Sequence, residues 1–173
     1  MRGLRRLPRE GAYIGTNRYF ITINVRDRQP RFTDPQLVET CRACIDASCG
    51  TYAFSIIRGC FMPDHLHLLM EGLEGRSDLR RCVNRVKQRT SYAAVRLGLG
   101  RLWQDGYHDR IVRQDENLQH YVDYIVENPV RVGLVRYAED YPFTFPGLPR
   151  KPGSGLPDAR ERPGMLRGQT SET

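Results

Sequence analysis

Lysine is almost missing from this sequence. Of its 27 basic residues, only Lys87 and Lys151 are lysines and the others are arginines. Acidic residues number 20, so the chain of 173 residues carries a formal net charge of +7. Because the arginine guanidinium binds phosphate through paired hydrogen bonds, this composition favours a polyanionic partner such as nucleic acid. A solvated arginine-rich surface is the alternative that composition leaves open.

Two further absences narrow the class of protein. No run approaches the roughly 18 apolar residues that cross a membrane, and the basic N-terminal segment lacks the apolar core of a signal peptide. We therefore expect a cytoplasmic protein with no membrane partner. Among the five cysteines, Cys41 and Cys44 form a C-x-x-C pair without a second pair at zinc-ribbon spacing. They lie on the apolar positions of a helical pattern, which predicts core thiols.

Period-two and helical patterns alternate along the chain and predict one α+β domain. The first strand alternates Ile21 and Ile23 with polar or aromatic neighbours, and Pro63-Asp64 forms the turn of a hairpin. In chain order we predict a strand at 18–27, a helix at 33–50, strands at 52–62 and 65–70, a helix at 77–98, a strand at 106–112 and a helix at 115–128. This order indicates a ferredoxin- or RRM-like antiparallel sheet with helices packed on one face.

The ends of the elements and of the domain follow from local composition. Asp34 and Ser77 are the predicted caps of the first two helices, and Pro129 is expected to end the third. Residues 1–12 form a predicted basic N-terminal arm, and residues 13–146 form the domain. Residues 147–173 are rich in proline, glycine and charge, a composition that cannot offset the entropy of ordering and predicts a disordered tail.

The stretch "MPDHLHLLM", residues 62–70, places His65 and His67 on one side of a predicted strand, because side chains alternate along a strand. Leu66 and Leu68 then face the core on the other side. Two of only four histidines in the chain occur here, directly after a turn, which favours a metal site. Two histidines without a ligand are the alternative that the pattern alone allows.

The third helix adds a phenol and an amide. Tyr124 and Asn128 lie one turn apart on the same flank, off the apolar stripe that contains Ile125. This flank is expected to point away from the core. Tyr121 is closer to the stripe and is predicted to pack.

Three segments together carry a resemblance to a known family. "MPDHLHLLM", "WQDGYHDRIV" and "HYVDYIVENPVRVGLV" occur in the order found in single-tyrosine transposases of the His-hydrophobic-His nuclease superfamily. The sequence resembles in particular the branch of REP-associated tyrosine transposases, from about residue 13 to residue 145. The resemblance implies an enzyme that cleaves and rejoins single-stranded DNA, folded on itself as a hairpin, through a 5′-phosphotyrosine.

The resemblance also implies a role for each residue singled out above. Tyr124 is the implied nucleophile, and His65, His67 and Asn128 are the implied ligands of a divalent metal, Mg²⁺ or Mn²⁺. The residue types agree with this chemistry, since a free phenol is a poor nucleophile at neutral pH and a cation on the phosphate offsets the developing charge. No general base is obvious, and His120 is a weak candidate for that role.

The DNA contacts and the assembly are less closely defined. We expect phosphate or base contacts from Arg81, Arg85, Lys87, Arg89 and Tyr107. A solvated helix face explains the four cations equally well, and Trp103 is expected to pack in the core. The chain is expected to act as a monomer or homodimer. Two other functions fit the same segments: a non-catalytic module that binds single-stranded or hairpin DNA, and a metal-dependent hydrolase that uses activated water.

Overall fold

A five-stranded antiparallel sheet lies at the centre of the computed structural model, which describes residues 10–146. The strands are β1 (Arg18–Asn24), β2 (Phe54–Met62), β3 (His65–Gly72), β4 (His108–Val112) and β5 (Thr144–Pro146). They are arranged in the order β4-β1-β3-β2-β5, so β3 is the central strand. The helices are α1 (Pro35–Thr51), α2 (Leu79–Arg96) and α3 (Leu118–Arg131). The predicted α+β class with an antiparallel sheet is confirmed.

The helices lie on both faces of the sheet, whereas the sequence pattern placed them on one. Helices α1 and α2 cover the face that carries Ile21 and Leu68, and they enclose the larger hydrophobic cluster. Helix α3 covers the opposite face, where a smaller cluster includes Leu69 and Ile125. The physical reason is that β2 and β3 are apolar on both faces. A helix is therefore needed on the second face as well, to exclude water from it.

Helix ends agree with the sequence at one position and differ at two. Asp34 caps α1 by accepting a hydrogen bond from the Gln36 amide, as predicted. Asp78, not Ser77, caps α2, while the buried Ser77 hydroxyl donates to the Ala53 carbonyl. Helix α3 continues through Pro129 to Arg131. The missing proline N–H removes one intrahelical hydrogen bond, which is tolerated because only two helical residues follow.

Strand β5 was missed in the sequence because it is only three residues long. It pairs with β2, where Gly59 lies opposite Phe145. A Cβ added at Gly59 would lie 2.2 Å from the Phe145 ring, so only glycine leaves room for this aromatic side chain. The contact attaches the end of the domain to the sheet.

The described residues include part of the predicted N-terminal arm. Residues 10–12 of the predicted arm form a short 3₁₀ helix with the buried Tyr13, while residues 1–9 and the predicted tail 147–173 lie outside the described residues.

All five cysteines lie within the described range and are free, and burial raises the pKa of Cys41 to about 12. Among residues 10–146, none of the helices combines the length and the apolar character of a membrane-spanning segment.

Candidate active site

The two histidines of β3 face α3 and approach each other at their outer ring nitrogens. Across the sheet, His65 lies opposite Asn24 and His67 opposite Thr22, both on β1. The two Nε2 atoms are 3.0 Å apart, and the rings meet edge to face. Both Nε2 atoms therefore lie at one location on this face of the sheet, as the alternation of the strand predicts.

The inner ring nitrogens are held by two side chains that the sequence analysis did not single out. Asp64 Oδ1 lies 2.6 Å from His65 Nδ1, and Thr22 Oγ1 lies 2.9 Å from His67 Nδ1. The Asp64 carboxylate also pairs with the Arg28 guanidinium at 2.8 Å. Both contacts orient the imidazoles. Because a carboxylate can only accept, Asp64 favours the His65 tautomer whose Nε2 is free to bind a metal.

Burial favours the neutral form of both histidines. Burial, with smaller contributions from His65 and Arg28, lowers the pKa of His67 to about 3. Burial also lowers the pKa of His65, although the Asp64 carboxylate opposes this effect. Neutral imidazole is the form that binds metal ions, so the pair is suited to that role.

Helix α3 brings an amide and a phenol to the histidines. Asn128 is buried, with its Nδ2 atom 3.3 Å from His67 Nε2. Tyr124, one turn earlier, is 36% exposed, and its ring centroid lies 5.7 Å from that of His67. The expectation that both point away from the core is therefore correct only for Tyr124, because Asn128 is covered when α3 packs on the histidine face.

Phe20 on β1 and Arg131 on α3 complete the surroundings of Tyr124. The Phe20 ring stacks on His67 at a centroid distance of 5.5 Å and meets the Tyr124 ring edge to face at 5.7 Å. The Arg131 guanidinium carbon lies 5.4 Å from the Tyr124 ring centroid, within the range of a cation–π interaction. A rigid aromatic contact and a positive charge therefore flank the phenol.

The donor set fits a divalent cation with oxygen and nitrogen ligands. Two converging Nε2 atoms and one amide provide three protein ligands, and turning the Asn128 amide by half a rotation brings its oxygen to the position of Nδ2. Within residues 10–146, no group of three His, Cys, Asp or Glu side chains is placed to hold a metal. Binding at the histidine pair therefore depends on the amide or on water as a further ligand.

Four of the five residues predicted to bind DNA lie apart from this group. Arg81, Arg85, Lys87 and Arg89 are on α2, which covers the opposite face of the sheet. Lys87 Nζ donates to the carbonyl oxygens of residues 104 and 106, at 2.8 and 2.6 Å, so this ammonium group fastens a loop to the helix. Tyr107 packs against the larger cluster. The buried Trp103 donates to Thr90, in agreement with its predicted core position.

Thr22, Asp64, Phe20 and Arg131 are the neighbours of the site that sequence reasoning missed. Phe20 and Thr22 alternate with the buried residues of β1, which indicated that they share a face. Only the pairing of β1 with β3 shows that this is the face of His67.

Comparisons with known proteins identify the family of this chain. The family model described as "Transposase IS200 like" matches residues 15–128, more than half of the chain. A curated relative, the REP-associated tyrosine transposase of Escherichia coli strain K12, is 29% identical over 132 residues, which cover 76% of this chain and 78% of that protein.

Two solved structures share the fold. One, described as a REP-associated tyrosine transposase bound to a REP hairpin, superposes with a TM-score of 0.69 at 28% identity and covers 83% of this chain and 82% of its own. Another, from Deinococcus radiodurans R1, has a TM-score of 0.50 at 14% identity, covers 72% of this chain and 97% of its own, and supports the fold alone. The chain therefore belongs to the IS200-like transposase family, and it is a tyrosine transposase similar to the REP-associated ones.

Proposed function

We propose that this transposase cleaves and rejoins single-stranded DNA through a covalent bond to Tyr124, with Mg²⁺ or Mn²⁺ held by His65, His67 and Asn128. The observation that carries the proposal is the convergence of the two Nε2 atoms and the Asn128 amide next to the exposed Tyr124 ring. A nucleophile and a cation site must lie this close if both are to act on one phosphate.

The proposed substrate is a REP-type DNA hairpin with a single-stranded flank. The related solved structure is described as bound to a REP hairpin, and the net charge of +7 suits a polyanion. A single-stranded flank leaves the phosphodiester accessible to a side chain that projects from a helix surface.

In the proposed reaction, the Tyr124 Oη atom attacks the phosphorus atom in line with the bond to the 3′ oxygen. The new O–P bond forms a 5′-phosphotyrosine as the P–O3′ bond breaks, and the released 3′ oxygen takes up a proton as the phenol loses one. A bound divalent cation supplies charge stabilisation at the phosphate. Because the phosphotyrosine remains an ester of the same kind, a 3′-hydroxyl can reverse the step and rejoin DNA without another energy source.

The protein side chains provide positioning and charge around the phenol. Phe20 contacts both His67 and Tyr124, so it sets the distance between the cation site and the nucleophile. The Arg131 guanidinium lies beside the Tyr124 ring, where positive charge favours the negative charge that develops on the phenol oxygen during attack.

The test is formation of a metal-dependent covalent adduct. Labelled single strands from DNA flanking the gene are incubated with the protein and Mg²⁺ or Mn²⁺, and the products are separated by denaturing electrophoresis. We expect a protein–DNA band that disappears with EDTA, in Tyr124→Phe and in His67→Ala. Tyr92→Phe is the matched control, because Tyr92 is an exposed tyrosine on α2, away from the site.

The other functions give different results in the same assay. Cleavage without an adduct that persists in Tyr124→Phe would establish a hydrolase that uses activated water. Tight binding without any cleavage would establish a non-catalytic DNA-binding module. Either result would overturn the proposed assignment of Tyr124 as nucleophile.

A further inference from the structure

A cleft next to Tyr124 is not used by the proposed cleavage chemistry. It lies between β1, β4 and α3 and has a volume of about 200 Å³. Its lining includes Phe20, His108, Arg110, His120, Tyr121 and Tyr124. Drug-sized ligands fill pockets of roughly 300–1,000 Å³, so this cleft suits a smaller group, of the size of one heterocyclic ring system.

Aromatic rings form the walls of the cleft. The Phe20 ring centroid lies 5.8 Å from that of Tyr121 and 5.7 Å from that of Tyr124. The His120 ring meets Tyr121 edge to face at 5.8 Å. Walls of this kind suit a planar, aromatic ligand, because unstacked bases gain binding energy by stacking on such side chains.

One wall is fixed before any ligand binds. The Tyr121 hydroxyl donates to Glu116 at 2.5 Å, and the Arg110 guanidinium donates to the same carboxylate at 2.8 Å. The Tyr121 ring therefore has a set orientation, and the charge of Arg110 is paired with Glu116. A phosphate would compete with that carboxylate for Arg110, whereas a neutral ring would leave the pair intact.

Two exposed histidines offer hydrogen bonds to the ligand. His108 and His120 line the cleft from β4 and α3. A neutral imidazole has one donor and one acceptor nitrogen, and the edge of a nucleobase presents both kinds of group. Aromatic walls combined with such polar groups match a base better than a sugar or an aliphatic side chain.

A second cavity continues the cleft along β4. It has a volume of about 260 Å³, shares His108 and Asp109 with the first, and reaches Asn24, which lies opposite His65 on the sheet. The loop that lines it is held in place by Lys87. Together the linings of the two cavities extend from Tyr124 to Asn24.

We propose that the cleft bounded by Phe20, Tyr121 and Tyr124 binds one unstacked base of the DNA strand, next to the phosphate that Tyr124 attacks. The proposal rests on the proposed function, because it takes the DNA strand to pass Tyr124. It adds a base-binding subsite and assigns His108 and His120 to the recognition of the base edge. The sequence preference at that nucleotide then depends on these two side chains.

The subsite is tested by removing bases from the DNA one at a time. The probe is the tightest-binding strand among overlapping 40-nucleotide single strands from DNA flanking the gene, prepared with one abasic position at a time. Binding is measured with Tyr124→Phe protein, which keeps the aromatic wall and consumes no DNA. We expect one position, or two adjacent ones, at which base removal weakens binding by roughly tenfold, in the range of base–aromatic stacking.

The same set of strands is then bound to Tyr124→Phe protein that also carries His108→Ala and His120→Ala. We expect this protein to bind the intact strand several-fold more weakly and to lose most of the penalty at the sensitive position. Gln119→Ala is the matched control, because Gln119 is an exposed neighbour on α3 that bonds to Asp123. Its binding should equal that of Tyr124→Phe protein.

Each outcome supports or contradicts the base-binding subsite independently of the proposed DNA cleavage. A flat abasic profile, or a penalty unchanged by the two histidine substitutions, overturns the subsite even if wild-type protein forms adducts. A penalty that depends on the histidines supports the subsite even if no adduct forms, in which case only the proposed cleavage fails. If none of the strands binds, both proposals fail.

Discussion

Replacement of Thr22 by valine tests whether the contact to His67 Nδ1 orients a metal ligand. Valine keeps the branched shape but removes the hydroxyl that lies 2.9 Å from Nδ1, and His67 is only 4% exposed. A buried polar atom without a partner costs about 1–3 kcal/mol, which corresponds to a fall in Tm of roughly 3–10 °C in a domain of this size. Loss of such a supporting contact weakens metal binding by about 10–100-fold.

The assay combines two measurements on the same protein. Free Mn²⁺ is followed by electron paramagnetic resonance during titration, and thermal unfolding is recorded in EDTA. Thr51→Val is the matched control, because the Thr51 hydroxyl bonds to the Ala47 carbonyl at the exposed end of α1. If Thr22→Val lost stability as expected but bound Mn²⁺ within twofold of wild type, Thr22 would have a structural role only, and the proposed metal site would lose its support from this contact.

Three further substitutions test other parts of the structure. Gly59→Ala should destabilise the fold by about 1–3 kcal/mol, because the added methyl group clashes with Phe145. Gly50→Ala should stabilise the fold by about 0.5–1 kcal/mol, because Gly50 lies in α1 with open space around it. Thermal unfolding of the two variants checks this difference in sign. Lys87→Met should lower Tm, because the bond to the carbonyl group of the 104–106 loop is lost. It should leave the salt dependence of DNA binding unchanged, whereas loss of a phosphate contact would reduce the slope of log affinity against log salt concentration by about one. Arg131→Gln should slow adduct formation about two- to fivefold, with DNA affinity within twofold of wild type. The substitution removes a positive charge that favours negative charge on the phenol oxygen during attack, an effect of about 0.5–1 kcal/mol at an exposed site. Unchanged rates would contradict the role of Arg131.

The two faces of β3 were predictable from the sequence because its side chains alternate regularly. Alternation along β3 correctly separated His65 and His67 from Leu66 and Leu68, because adjacent side chains on a strand point to opposite faces. The position of α3 was not predictable in this way. The period of a helix shows which side is apolar, but not which face of the sheet that side covers, so the burial of Asn128 became clear only in the structure.

The supporting residues of the site depend on contacts between segments far apart in the chain. Thr22 reaches His67 across a separation of 45 residues, and Lys87 reaches the 104–106 loop in a similar way. Local pattern holds no information about such partners. The predicted phosphate contact of Lys87 shows the consequence: a cation on the flank of a helix is equally consistent with a ligand outside the chain or with a carbonyl group inside it.

The attachment of α3 to the sheet controls whether the site exists at all. Tyr124 and Asn128 belong to this one helix, while His65 and His67 belong to the central strand. The helix rests on the smaller of the two hydrophobic clusters. A local opening that lifts α3 removes the phenol and the amide together from the two histidines. In the proposed mechanism, activity therefore reports the fraction of molecules in which α3 is docked. Substitutions in the smaller cluster, such as at Leu69 or Ile125, then lower activity well below the temperature at which the whole domain unfolds.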